Sequence, residues 1–167
     1  MVIKELNSLH LDSFYDCFTE LMNEGYGHFS PKLRTHFLTK DYPKANFRFW
    51  MERNIRKIFV VMVEEEVVGF IVGDNSYGGV AFISWFGLKK PYRRKGLGTK
   101  LLHEYEKYIT NKGAHLIELF TFEELIEFYE RHGFTEIGRR SEGYYGQKNV
   151  IMDKKVGEWS DGRLIKS

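Results

Sequence analysis

Apolar positions along the chain recur with two periods, and the switches between them mark out the elements. Leu11, Phe14, Tyr15, Phe18, Leu21 and Met22 fall three and four residues apart, the spacing of one helix face, with Asn7 or Ser8 placed to cap the start. Met1 to Leu6 reads as a first strand. Gly25 and Gly27 end the helix, and Tyr26 to Asp41 reads as irregular chain. Pro43 suits the first turn of a second helix, with Phe47, Trp50, Met51 and Ile55 on one face. Ile58 to Val63 and Val67 to Val72 are apolar runs joined by Glu64, Glu65 and Glu66, which predicts an antiparallel hairpin. A turn over Gly73 to Gly79 leads into Val80 to Phe86, rich enough in β-branched and aromatic residues for a buried strand. Helical spacing returns at Leu97, Leu101, Leu102, Tyr105, Tyr108 and Ile109 and stops at Gly113. Ala114 to Phe120 reads as a strand. Thr121 and Glu124 have capping-box spacing for a helix over Phe122 to His132, ended by Gly133. Phe134 to Arg139 and Val150 to Lys155 are the last strands, Ser141 to Lys148 is a polar loop able to cover a site, and Val156 to Ser167 reads as a loose tail. The order is βααβββαβαββ. A helical crossover makes Val80 to Phe86 and Ala114 to Phe120 parallel neighbours in an otherwise antiparallel sheet, so the class is α/β with helices flanking a mixed sheet.

Composition bounds the function. A chain of 167 residues with 43% hydrophobic and 29% charged residues suits one globular domain, taken here as 1–155 with a tail over 156–167. A net charge of +2 gives no general affinity for nucleic acid. The lone Cys17 lies on the apolar face of the first helix, so no disulfide framework exists and a core role is expected. No leader pattern and no long apolar run is seen, which makes the cytoplasm the expected location and membrane partners unexpected. The histidines at 10, 28, 36, 103, 115 and 132 show no paired ligand spacing, so no metal site is expected. No Gly-x-Ser-x-Gly element supports a serine hydrolase.

Charge matters locally. Between the strand ending at Phe86 and the helix beginning near Gly96 lies a basic, glycine-bearing turn with Lys89, Lys90, Arg93, Arg94 and Lys95. Such a turn can aim backbone N–H groups, a helix N-terminus and cationic side chains at one place, a combination suited to an oligophosphate. Taken alone, Gly96-x-Gly98 fits a tight strand-to-helix turn equally well. A P-loop is excluded, because Thr99 and Lys100 follow Gly98 in the wrong order and one residue separates the glycines. A dinucleotide fingerprint would need a small residue where Leu101 stands.

Arg93, Gly96 and Gly98 give the pattern Arg-x-x-Gly-x-Gly, and Phe128-Tyr129-Glu130-Arg131-His132-Gly133-Phe134 follows at a matching distance. In these two segments the chain resembles the GCN5-related N-acetyltransferase (GNAT) family, whose acyl-CoA N-acyltransferase fold has the element order above. The resemblance implies an acetyl-coenzyme A-dependent N-acetyltransferase working by direct transfer to a small-molecule or peptide amine, as a monomer or homodimer. It implies that Arg93, Arg94, Lys95, Gly96, Leu97, Gly98 and Thr99 hold the pyrophosphate, and that Phe86, Gly87 and Leu88 pair with pantetheine, a backbone N–H near Phe86 or Gly87 polarising the thioester. It also implies that Tyr129 protonates the leaving thiolate. Val80 to Leu88 contains no carboxylate, and the candidate base is Glu118 in Ile117-Glu118-Leu119; the other reading of Glu118 is a solvent-facing position at a sheet edge. Phe122 stands where the family has a cofactor-contacting asparagine. The alternative to an enzyme is a non-catalytic acyl-coenzyme A-binding regulatory module.

Overall fold

A computed structural model describes residues 1–24, 26 and 28–161. The strands are β1 (Val2–Glu5), β2 (Arg56–Val63), β3 (Glu66–Asp74), β4 (Val80–Leu88), β5 (Leu116–Thr121), β6 (Thr135–Arg140) and β7 (Asn149–Lys155), in the order β1-β2-β3-β4-β5-β7-β6. The helices are α1 (Leu11–Glu24), α2 (Pro31–His36), α3 (Lys44–Glu52), α4 (Leu97–Asn111) and α5 (Ile126–Arg131). The chain divides into two compact units, one of Met1–Gly73 with Trp85–Tyr105, the other of Asp74–Ser84 with the residues from Glu106 on. No described helix is long and apolar enough to cross a membrane.

In the first unit β1 runs antiparallel to β2, from Val2 opposite Met62 to Glu5 opposite Phe59. Val67 to Gly73 of β3 are buried without a break, so this strand has no solvent face and its sequence shows a continuous apolar run instead of alternation. Helices α1 and α3 supply the rings that meet it. Phe14 lies 5.0 Å from Phe47 and 5.3 Å from Phe70, edge-on in both cases, and Phe18 lies 4.9 Å from Phe47. Each such buried side chain contributes about 1.5–3 kcal/mol. Cys17 is fully buried among them, and burial pushes its thiol up to about 12, so it is core as expected. Gly73 is glycine because a Cβ there would collide with the ring of Tyr105 on α4.

Tyr26 to Asp41 departs from the expected irregular chain. Ser30 caps α2, its hydroxyl accepting from the Leu33 N–H at 3.2 Å, and Pro31 takes the first helical position. A π turn over Phe37–Asp41 follows, closed by the Tyr42 N–H on the Phe37 carbonyl at 2.7 Å. The element order therefore holds one helix more than the sequence predicts.

In the second unit β5 lies parallel to β4, from Val80 opposite Leu116 to Ile83 opposite Leu119, and antiparallel to β7. A bulge at Ile137 interrupts the β6–β7 ladder. The single helix expected over Phe122 to His132 is a 3-10 turn, Glu123–Leu125, followed by α5, and no capping box forms. Thr121 remains in β5 opposite Val150, with its hydroxyl buried and without a hydrogen-bond partner among the described residues. Of the expected tail, Val156 and Gly157 donate their N–H groups to the His115 carbonyl and Trp159 meets the His115 ring edge-on at 5.4 Å. Residues 162–167 lie outside the described residues.

Candidate active site

Strand β4 reaches Leu88, two residues past its expected end, and its last residues present backbone groups alternately to its two edges. Lys89 donates its N–H to the Val68 carbonyl of β3 at 2.9 Å, so Gly87 and Lys89 face β3 and Phe86 and Leu88 face the opposite edge. The ladder to β5 covers Val80 to Ile83, which leaves Phe86 and Leu88 beyond it. Both outward carbonyls accept from side chains: Phe86 from the Tyr26 hydroxyl at 3.1 Å and Leu88 from Arg93 Nε at 2.8 Å. A Cβ on Gly87 would lie 2.8 Å from Leu21 Cδ1 and 3.3 Å from Tyr26 Oη, so a glycine lets α1 and Tyr26 close on the strand.

The basic turn follows. Lys90–Tyr92 forms a 3-10 turn, Arg93 is extended, and the backbone then enters the left-handed region at Arg94 (φ 57°) and again at Gly96 (φ 74°). A non-glycine residue held there costs about 1–3 kcal/mol. Left-handed residues set among right-handed ones turn successive N–H groups to one side and make an anion-binding concavity. A Cβ at Gly96 would meet nothing within 4 Å, so this glycine is required by its φ and the space above it is open. Helix α4 starts at Leu97 with the Lys100 N–H on the Gly96 carbonyl at 3.1 Å, placing Leu97, Gly98 and Thr99 in the first turn, where amides lack intrahelical partners.

The basic side chains divide into two sets. Lys89 lies between Glu20 (2.8 Å) and Glu66 (2.7 Å), and these hydrogen bonds outweigh its partial burial and raise its pKa. It clamps α1 to β3 and is not available to a phosphate. Arg93 folds back on Leu88, and Lys95 lies 5.8 Å above the Tyr92 ring. Lys90 and Arg94 are exposed and have no ion-pair partner among the described residues.

In the second unit Tyr129 sits on α5 at 5% exposure, its ring edge-on to Phe128 at 5.2 Å and Phe134 at 5.5 Å. Burial raises its phenol above the ordinary value of 10.0. Gly133, at φ 84°, ends α5, and the Phe134 N–H returns to the Tyr129 carbonyl at 3.1 Å. Glu118 is half-buried on β5 between the buried Ile117 and Leu119, opposite Phe82 on β4 and Asp153 on β7. Because β5 is an interior strand, Glu118 is not at a sheet edge. On the same strand Phe120 meets Phe82 at 5.1 Å and Tyr144 at 5.5 Å, and Arg140 lies 4.9 Å over its ring. Phe122 precedes the Glu123–Leu125 turn and makes no side-chain cap. Among the described residues no three His, Cys, Asp or Glu side chains gather as a metal-binding group.

Sequence reasoning gives no sign that Tyr26 bonds to β4, because its partner Phe86 lies 60 positions along the chain. It also counted Lys89 in the basic cluster beside the turn, although Glu20 and Glu66 bind it.

Known proteins resemble this chain throughout most of its length. It is 29% identical over 130 residues to an uncharacterized N-acetyltransferase of Methanocaldococcus jannaschii, covering 72% of this chain and 56% of that protein, so it spans little more than half of that relative. It is 31% identical over 117 residues to the S-(2-succino)cysteine N-acetyltransferase of Bacillus subtilis, covering 62% of this chain and 70% of that one. The fold is shared with the PaiA N-acetyltransferase of Thermoplasma acidophilum, crystallised in complex with coenzyme A, at a TM-score of 0.75 and 22% identity over 93% of this chain and 99% of that one. The match to the family itself runs over residues 12–134, from α1 through the basic turn and α5, and places the chain in the acetyltransferase (GNAT) family.

Proposed function

We propose that the protein is an acetyl-coenzyme A-dependent N-acetyltransferase that passes the acetyl group directly to a primary amine, of a small molecule or a peptide N-terminus. The observation that carries this is the turn itself: left-handed backbone at Arg94 and Gly96, open space above Gly96, and the first turn of α4 immediately after. These features fit a pyrophosphate, with the amides of Arg94 to Thr99 as donors and Arg94, Lys95 and Lys90 as counter-charges. The outward edge of β4 at Phe86 and Leu88 fits an extended chain bearing amides, as pantetheine is.

Bound there, acetyl-coenzyme A supplies an activated acetyl thioester. The Phe86 N–H, on the outward edge, polarises the thioester carbonyl; the Gly87 N–H faces β3 and does not. An alkylamine is mostly protonated at neutral pH, with a pKa of about 10.4, and its nitrogen loses two protons on the way to the amide: Glu118 takes the first and frees the lone pair, and the second leaves as the C–N bond forms. The new C–N bond replaces the C–S bond, and Tyr129 donates its proton to the departing sulfur. A thiol, with a pKa of about 8.5, is a stronger acid than the Tyr129 phenol, so the transfer is completed by the second amine proton, which restores the phenol as the amide forms. The absence of a carboxylate from β4 favours a second reading, a non-catalytic acyl-coenzyme A-binding module.

Calorimetric titration with acetyl-coenzyme A, followed by thiol release in the presence of amines, separates these. Saturable binding with amine-dependent thiol release is expected; binding without release on a broad amine panel supports the module. The variant Gly98→Trp, at a buried position in the first turn of α4, is expected to abolish binding while circular dichroism is unchanged, and undiminished affinity contradicts the placement.

A further inference from the structure

In the second unit the sheet face that carries Glu118 also carries a cation and aromatic rings that the chemistry above leaves unused. Directly opposite residues, and residues two apart along a strand, point to the same face. Glu118 stands opposite Phe82 on β4 and Asp153 on β7, and Phe120 is two places further along β5, so all four share a face. They are half-buried, whereas Ile117, Leu119 and Met152, which alternate with them, are buried on the other side. Phe120 lies at the centre of the group. Phe82 is 5.1 Å from its ring and Tyr144 5.5 Å, and the Arg140 guanidinium lies 4.9 Å over it.

The charges on this face are unmatched within the protein. Strands β6 and β7 carry four cationic side chains, Arg139, Arg140, Lys154 and Lys155. Arg139 is held by Glu136 and Glu123, each at 2.6 Å, Lys154 by Glu106 at 2.7 Å and Lys155 by Glu158 at 2.5 Å. Arg140 has no carboxylate partner among the described residues, and a guanidinium placed over a ring keeps its N–H edge for a planar anion. Glu118 and Asp153 have no cationic partner among the described residues, although like charges directly opposite one another destabilise a sheet. Negative charge at Glu118 and positive charge over Phe120 are thus offered two positions apart, about 6.6 Å along the strand. An ammonium and a carboxylate in one small molecule match that order. A polyamine would set a cation against Arg140, and an amine without an anion would leave the guanidinium unanswered.

We propose that the acceptor is an amino acid, its carboxylate on Arg140, its ammonium between Glu118 and Asp153, and its side chain against the rings of Phe82, Phe120 and Tyr144. This rests on the acetyl-transfer function proposed above and names its substrate class. The C–N bond forms and the C–S bond breaks, so that the ammonium and the acetyl thioester become an N-acetyl amino acid, coenzyme A thiol and one proton on Glu118. The product keeps its carboxylate but has lost the positive charge that Glu118 and Asp153 attract, which favours its release.

The test is thiol release by the whole chain at saturating acetyl-coenzyme A, measured with the protein-forming L-amino acids, each paired with its decarboxylated amine, and with spermidine and kanamycin. The best amino acid is expected to exceed its own decarboxylated amine and both polycations by at least about tenfold in kcat/KM. Arg140→Gln is expected to erase that lead by raising the KM of the amino acid about tenfold, with calorimetric affinity for coenzyme A unchanged, and Arg140→Lys to keep part of the lead. Asp153→Asn is expected to raise the KM of amino acid and amine alike. A decarboxylated amine or a polycation acetylated as well as the best amino acid overturns the proposal, whether or not the variants fold. So does an undiminished lead in folded Arg140→Gln. If acetyl-coenzyme A binds and other amines are preferred, only this proposal falls; if it does not bind, the acetyl-transfer function falls with it.

Discussion

At Tyr129 one side chain fills a core and, in the mechanism proposed above, gives up a proton. Its ring packs against Phe128 and Phe134, and burial raises its pKa above 10.0, so the phenol stays protonated throughout the range in which an amine can be acetylated. Tyr129→Phe keeps the ring contacts and removes the proton; kcat is expected to fall by about 100-fold while the calorimetric affinity for acetyl-coenzyme A is unchanged. An unchanged kcat, with chemistry rate-limiting, removes Tyr129 from the mechanism. The same shift carries a pH signature in stability. Because the folded-state pKa lies above the unfolded one, the contribution of Tyr129 is fully present below about pH 10 and is lost as pH rises through the folded value. Denaturant titrations of the parent and of Tyr129→Phe are therefore expected to diverge in slope only above about pH 10. Gly96 is a simpler case: its φ is 74° and a methyl group there would meet no atom within 4 Å, so Gly96→Ala should cost about 1 kcal/mol through backbone strain alone. A much larger loss in urea melts would mean that the turn is packed and not open.

Elements are held in place here by close approaches that leave weak marks in the sequence. Lys89 reads as one more cation of a basic turn, yet it ties α1 to β3 through Glu20 and Glu66. Lys89→Met is expected to lower stability by about 1 kcal/mol and to leave acetyl-coenzyme A affinity unchanged; a tenfold loss of affinity without a stability change would return Lys89 to the phosphate site. Gly73→Ala would drive a methyl into the Tyr105 ring and should destabilise by about 1–3 kcal/mol in the same melts. The strands and long helices were legible because their apolar spacing is regular over many residues. Helix α2 was not, since its six residues carry too little periodicity, although Ser30 and Pro31 mark its start. The Thr121 capping box failed for the opposite reason: a local signal was overridden by β5, which continues through Thr121 to pair with Val150.

For the whole molecule, order alone can suggest only those candidate site residues that share a contiguous stretch, as with Arg93 to Thr99 and the segment around Tyr129. The turn owes its shape to local conformation, and Gly96 announces it. Contacts made across the chain could not be read: Tyr26 reaches Phe86 over 60 positions, and Glu118 and Asp153 face one another only because β5 and β7 pair. Glu118, Tyr129 and the turn carry one function only if all of them act on acetyl-coenzyme A and its amine acceptor. The most direct test of that claim is calorimetric titration of the full chain with acetyl-coenzyme A, coupled to thiol release across a panel of amines. The account predicts saturable binding, lost in Gly98→Trp, and thiol release that depends on the amine. A folded protein that does not bind acetyl-coenzyme A would contradict it.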